Sequence, residues 1–133
     1  WEVARRRAGV GATTLMTAQW APWFAFGLHG RVPAGAFEPR PGVDGGILTI
    51  RRLDPPLLPV AQRSRYQGLV HRVFTAPGQG LAQVLVRAGA FSSAADARSW
   101  LGRHVLSPRD APSRVSTAGW IDLYRTTGTS PPR

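Results

Sequence analysis

Phe37 is the side chain with the clearest chemical possibility. It stands in the run Ala36-Phe37-Glu38-Pro39-Arg40-Pro41-Gly42. Pro33, Pro39 and Pro41 fix their own φ and bias the residues before them toward extended backbone, so this loop is stiff and non-helical. A large apolar ring on a stiff loop either folds back into the core, the commoner fate of phenylalanine, or stays out as a surface on which a planar group stacks. The residues alone leave both open.

The second chemical resource is cationic. The chain of 133 residues carries 17 basic side chains against 7 acidic ones, a net charge of +10, and every basic residue is arginine. Absence of lysine beside many Ala, Gly and Pro fits GC-rich coding, which explains part of the arginine excess but not the charge. A charge of this size implies a polyanionic partner. Arginines spread along the chain, rather than gathered on one amphipathic helix, favour nucleic acid over a membrane surface. Guanidinium groups pair bidentately with phosphates and stack on bases, which suits RNA. Arg5, Arg6 and Arg7 form the densest cluster, open to two readings, a solvated helix face or a phosphate contact.

Other chemistry is missing from the pattern. His29, His71 and His104 share no ligand spacing and the chain has no cysteine, so no metal site is expected. Zero cysteine also removes disulfides and a thiol nucleophile, and is compatible with a reducing cytoplasm. There is no nucleophile elbow and no phosphate-binding loop, and Gly9-Val10-Gly11 lacks both the third glycine and the preceding strand of a dinucleotide fingerprint. Asp44, in Val43-Asp44-Gly45-Gly46, suits a turn. The chain holds no complete catalytic constellation.

The elements that must hold these residues follow from periodicity. A helix over 2–8 is stopped by Gly9 and Gly11, and Thr13 or Thr14 caps a second that runs through Met16 and Trp20 to Pro22. Residues 23–29 alternate as a strand, with Phe24, Phe26 and Leu28 on one side. Residues 47–51 form a second strand, antiparallel to the first, whose apolar run fits a sheet covered on both faces. Leu53-Asp54-Pro55-Pro56-Leu57-Leu58-Pro59 then breaks regular structure. Beyond it, Tyr66, Leu69, Val70, Val73 and Phe74 recur at helical spacing, with Arg63, Arg65, Gln67 and Arg72 toward water. A short helix spans Leu81 to Ala88 and closes at Gly89. Ser93 with Asp96 opens another through Trp100, Leu101 and His104, and Ser116 or Thr117 a last one carrying Trp120, Leu123 and Tyr124. The division is a strand-bearing part, 1–53, a helical part, 54–126, and a disordered tail, 127–133. The first part is too small to cover both faces of a buried sheet, and the chain opens on Trp1 with no Met before it. Missing upstream sequence is the expectation. No apolar run is long enough to span a bilayer.

Four segments together resemble a known family. Trp1-Glu2-Val3-Ala4-Arg5-Arg6, Arg31-Val32-Pro33, Phe37-x-Pro39-x-Pro41-x-Val43-Asp44 and Tyr66-Gln67-x-Leu69-Val70-x-x-Val73-Phe74 are similar to the C-terminal half of the ribosomal RNA adenine-N6 dimethyltransferases. The likeness is closer to the Erm type, which confers macrolide resistance, than to the type that modifies the small subunit. It runs from Trp1 to about Thr127, and departs at Gly45, where the broader family commonly has Ser. It implies an α/β fold: the last strands of a Rossmann-like methyltransferase domain, incomplete here, followed by a small helical RNA-binding domain. It also implies that the S-adenosylmethionine site and the Asn-x-Pro-Tyr motif that holds the target amine lie upstream of Trp1. Phe37 then corresponds to the ring that stacks on the extruded adenine, as base-flipping chemistry requires. Arg5, Arg6, Arg7, Arg40, Arg51, Arg63 and Arg65 become RNA contacts. The implied protein is a cytoplasmic monomer acting on large-subunit ribosomal RNA without a metal. The competing reading is a non-catalytic basic RNA-binding module.

Overall fold

Short polar side chains start three of the helices. Thr14 accepts from Thr17 N, Ser93 from Asp96 N and Ser116 from Gly119 N, each satisfying an amide that has no partner inside its own first turn. The computed structural model describes residues 13–128, so the helix expected over 2–8, Arg5, Arg6 and Arg7, and the end of the expected tail lie outside the described residues. The order is α1 (Leu15–Trp20), β1 (Phe24–Val32), β2 (Gly45–Arg52), α2 (Arg63–Thr75), α3 (Leu81–Arg87), α4 (Ala94–Arg103) and α5 (Thr117–Leu123). A π-helical turn, Tyr124–Gly128, continues α5, so Thr127 and Gly128 are helical where a disordered tail was expected. Thr127 Oγ1 donates to Leu123 O at 2.7 Å and ties that turn down.

β1 and β2 pair antiparallel, from Phe24 opposite Arg52 to Val32 opposite Gly45. The register shifts between Leu28 and Gly30, so His29 is the extra residue of a bulge and β1 runs three residues past the expected end at His29. His29 Nε2 lies 2.7 Å from Thr49 Oγ1 across the ladder. Gly27 makes room for that contact, since a Cβ there would sit 2.7 Å from Thr49 Oγ1 and 2.9 Å from His29 Nε2.

Among the described residues β2 is not covered on both faces. Ile47 is 51% and Ile50 60% exposed, and β1 is the one strand that pairs with β2 among the described residues. An apolar run records what a strand prefers as surroundings; covering two faces needs elements on both sides of it.

One core joins the helices. It includes Tyr66, Leu69, Val70 and Val73 of α2, Leu81, Val84 and Leu85 of α3, Ala97, Trp100 and Leu101 of α4, and Trp120 and Leu123 of α5. Ala18 and Trp23 belong to it as well. Trp23 Nε1 donates to Leu58 O at 2.9 Å, Tyr66 OH to Ala18 O at 2.7 Å, and Gln19 and Gln67 exchange side-chain to backbone hydrogen bonds. Residues 15–23 therefore pack with the helices that follow the proline break, and the hairpin extends from that body.

Candidate nucleic-acid interface

The hairpin holds two groups of site residues apart. Seven steps along the strand carry the chain from Gly45 to Arg52, about 24 Å at the usual rise of about 3.4 Å per residue. Phe37 and Arg40 lie at the loop end, and Arg51, Arg63 and Arg65 at the end where the hairpin meets the helices. Arg51 and Arg52 point to opposite faces of β2 because side chains alternate along a strand. Arg63 and Arg65 are both exposed on the first turn of α2, roughly 200° apart around its axis.

Phe37 follows a single 3₁₀ turn, Ala34–Ala36, and donates its amide to Ala34 O at 3.2 Å. The ring is 46% exposed and stands outside the core. Its edge rests on Gly45, where a Cβ would meet Phe37 Cζ at 3.3 Å. Glycine at that position lets the ring lie directly on β2.

Asp44 fixes the two ends of this loop to each other. Its Oδ1 accepts from Ala34 N at 2.7 Å and its Oδ2 is 2.7 Å from an Arg31 guanidinium nitrogen. The Ala34 hydrogen bond is the main reason the Asp44 carboxyl sits below its ordinary pKa; desolvation opposes it, and the Arg31 charge adds a lesser lowering. Both contacts span the proline segment. The turn expected at Asp44-Gly45-Gly46 is corrected, since Gly45 and Gly46 already pair with Val32 and Arg31 as the start of β2; Asp44 instead clamps the loop, a role invisible in sequence because its partners are ten and thirteen positions away.

At the other end of the hairpin a cleft of about 600 Å³ opens between β1, β2 and α2, lined by Trp20, Trp23, Phe24, Arg52, Leu53, Asp54, Pro56, Val60 and Arg63. Trp20 and Phe24 meet edge to face at 5.8 Å. The Arg63 guanidinium lies 5.5 Å from the Trp20 ring centre, within cation–π range. Of these residues the sequence pattern picked out only Arg63 as a contact. Trp20, Phe24 and Arg52 carried a signal, aromatic residues followed at distance by paired arginines, but nothing in spacing showed that they converge.

The third polar feature is structural. Asp122 Oδ2 receives Trp100 Nε1–H at 3.0 Å and is 2.7 Å from His104 Nε2, tying α4 to α5. The His104 hydrogen bond is the main reason the Asp122 carboxyl sits below its ordinary value. Among the described residues no three His, Asp or Glu side chains gather where they could share a metal ion, and no helix is long and apolar enough to cross a membrane. Neither strand leads through a glycine-rich turn into a helix, so the described residues do not form a cradle for a nucleoside cofactor of the kind such turns hold.

No protein-family model matches the sequence. The rRNA adenine N-6-methyltransferase of Corynebacterium diphtheriae is 52% identical over 122 residues, 91% of this chain and 48% of that protein. Mycinamicin-resistance protein MyrB of Micromonospora griseorubida is 47% identical over 125 residues, 94% of this chain and 39% of that protein. Among solved structures, the 23S rRNA methyltransferase ErmE matches with a TM-score of 0.76 at 26% identity, covering 95% of this chain and 51% of that one. A Plasmodium falciparum dimethyladenosine transferase shares the fold, with a TM-score of 0.61 at 14% identity over 96% of this chain and 56% of that one. The chain spans about half the length, or less, of the curated relatives it matches. Its strands and helices are those of part of a Rossmann-like methyltransferase with helices appended.

Proposed function

Because this chain belongs to the rRNA adenine N-6-methyltransferase family, and to its Erm type, we propose that it forms the C-terminal portion of an enzyme that methylates RNA. The enzyme moves methyl groups from S-adenosylmethionine to the exocyclic amine of an adenine in large-subunit ribosomal RNA and so confers resistance to macrolides. The observation that carries this reading is the identity shared with the Corynebacterium diphtheriae enzyme along nearly the whole chain. Residues 1–53 are the end of the catalytic domain, 54–126 a helical RNA-binding domain and 127–133 a tail. The cofactor and the amine-holding motif belong to sequence before Trp1, so this chain supplies the ring and the cations. Phe37 stacks on the extruded adenine, and its exposure on a loop pinned by Asp44 fits that task. Arg5, Arg6, Arg7, Arg40, Arg51, Arg63 and Arg65 hold phosphates. The enzyme acts as a monomer in the cytoplasm, where ribosomes are, without a metal.

A chimera tests the proposal. This chain replaces the matching segment of the Corynebacterium diphtheriae enzyme, and labelled methyl transfer to large-subunit RNA is measured beside the parent. Adenine-specific methylation is the expected result. A folded chimera that binds S-adenosylmethionine but leaves the RNA unmodified, while the parent works, overturns it.

A further inference from the structure

The cleft between the hairpin and α2 has the size, the aromatic surface and the charge of a nucleotide site, and lies about 24 Å along the hairpin from Phe37. Its volume, about 600 Å³, is within the range of small-ligand sites. Trp20 and Phe24 form an edge-to-face pair in its wall and are only half-buried. The Arg63 guanidinium lies over Trp20, which makes a cation–aromatic layer on which a further planar group can stack. Arg52 approaches from β2, and Asp54 brings a carboxylate that can accept from an exocyclic amine. Among the described residues no carboxylate pairs with Arg52 or Arg63. Among the described residues two cations therefore line the cleft beside one carboxylate, Asp54, that pairs with neither, a net positive charge complementary to phosphate and not to an apolar peptide.

We propose that this cleft binds one unpaired nucleotide of the RNA, its base stacked on the Arg63–Trp20 layer and its flanking phosphates held by Arg52 and the outer edge of Arg63. The site is separate from the Phe37 loop and takes a different nucleotide from the one methylated. It rests on RNA being the partner. Stacking tolerates any base because every base has a π face, so the site anchors an exposed loop or bulge without reading its sequence. Double-stranded RNA, whose bases are already stacked, does not enter.

The chain itself is the reagent. A short single-stranded oligoadenylate is titrated into it at moderate salt, followed by tryptophan fluorescence, beside an abasic strand of equal length and charge and a duplex of the same sequence. Wild type binds oligoadenylate more tightly than the abasic strand, with quenching. Trp20→Ala lowers oligoadenylate affinity roughly tenfold and leaves abasic binding unchanged; Trp20→Phe, which keeps a ring beside Phe24, retains most of the difference and guards against misfolding. Arg52→Ala weakens both strands and flattens the salt dependence. Equal affinity of wild type for the base-bearing and abasic strands, or for the duplex, overturns the site and leaves charge alone. An active methyltransferase chimera with no such preference would sink only this inference, whereas the preference in an inactive chimera would sink only the methyltransferase reading.

Discussion

Replacing Phe37 by alanine separates a ring that acts on RNA from a ring that holds up the fold. Full burial of a phenylalanine is worth about 1.5–3 kcal/mol, and Phe37 keeps 46% of its surface exposed, so truncation should cost stability of roughly 1 kcal/mol. A core phenylalanine would cost about 3–5 kcal/mol. The melting temperature should fall by only a few degrees, since about 1 kcal/mol moves a domain of roughly 60–100 residues by roughly 4–8 °C and one of roughly 150–250 residues by roughly 2–4 °C. Methyl transfer by the chimera should suffer far more. Stacking of one base on one ring is worth about 1–3 kcal/mol, equivalent to a loss of roughly five- to 160-fold in rate. That contact exists only once the adenine has left its helix, so the loss belongs in turnover while affinity for bulk RNA stays near wild type. Phe37→Tyr and Phe37→Trp keep a π face and should retain most activity. Thermal unfolding is measured beside single-turnover methylation. A Phe37→Ala protein that melts far below wild type would return the ring to a packing role, and one with unaltered turnover would end the stacking assignment.

Val105 has φ of 55° and is 92% exposed, a β-branched residue in the left-handed region just past α4, where the penalty is roughly 1–2 kcal/mol. Val105→Gly should therefore raise stability by about 1 kcal/mol, and an unchanged or lower urea midpoint would contradict it. Asp122 and Asp44 both have folded pKa values below their ordinary 3.8, so each contributes stability that is present above that pH and lost as pH falls through the folded value. Acid titration of the melting temperature should show a decline below about pH 4 that is shallower in Asp122→Asn; an identical slope would deny the His104 contact its role. Calorimetry should detect no S-adenosylmethionine binding to the 133-residue chain, and micromolar affinity would mean that the cofactor site lies within it. Arg40→Ala should weaken RNA binding and reduce the slope of log affinity against log salt, whereas an affinity indifferent to salt would remove the arginines as its source.

The strongly periodic and strongly capped segments were legible in the sequence. Alternation of Phe24, Phe26 and Leu28 and the spacing of Tyr66, Leu69, Val70 and Val73 are local patterns, and β1 and α2 form over them, whereas Gly45 and Gly46, expected in a turn, open β2 instead. Thr14, Ser93 and Ser116 cap their helices because a cap bonds to an amide only three residues on. The net charge, the missing cysteines and the proline-framed Phe37 were equally readable, since composition and φ restriction need no partners. Distance in sequence hid the rest. Asp44 reaches Arg31 and Ala34, Asp122 reaches Trp100 and His104, and the cleft draws Trp20, Arg52 and Arg63 from three elements. Exposure of Ile47 and Ile50 depends on which elements stand over β2, and the packing of Ala18 and Trp23 with the helices depends on hydrogen bonds 35 to 48 residues long. A chain specifies its local conformations through its own backbone and nearest neighbours; which surfaces meet is set only when the whole core closes, and that closure is what brings the cleft together.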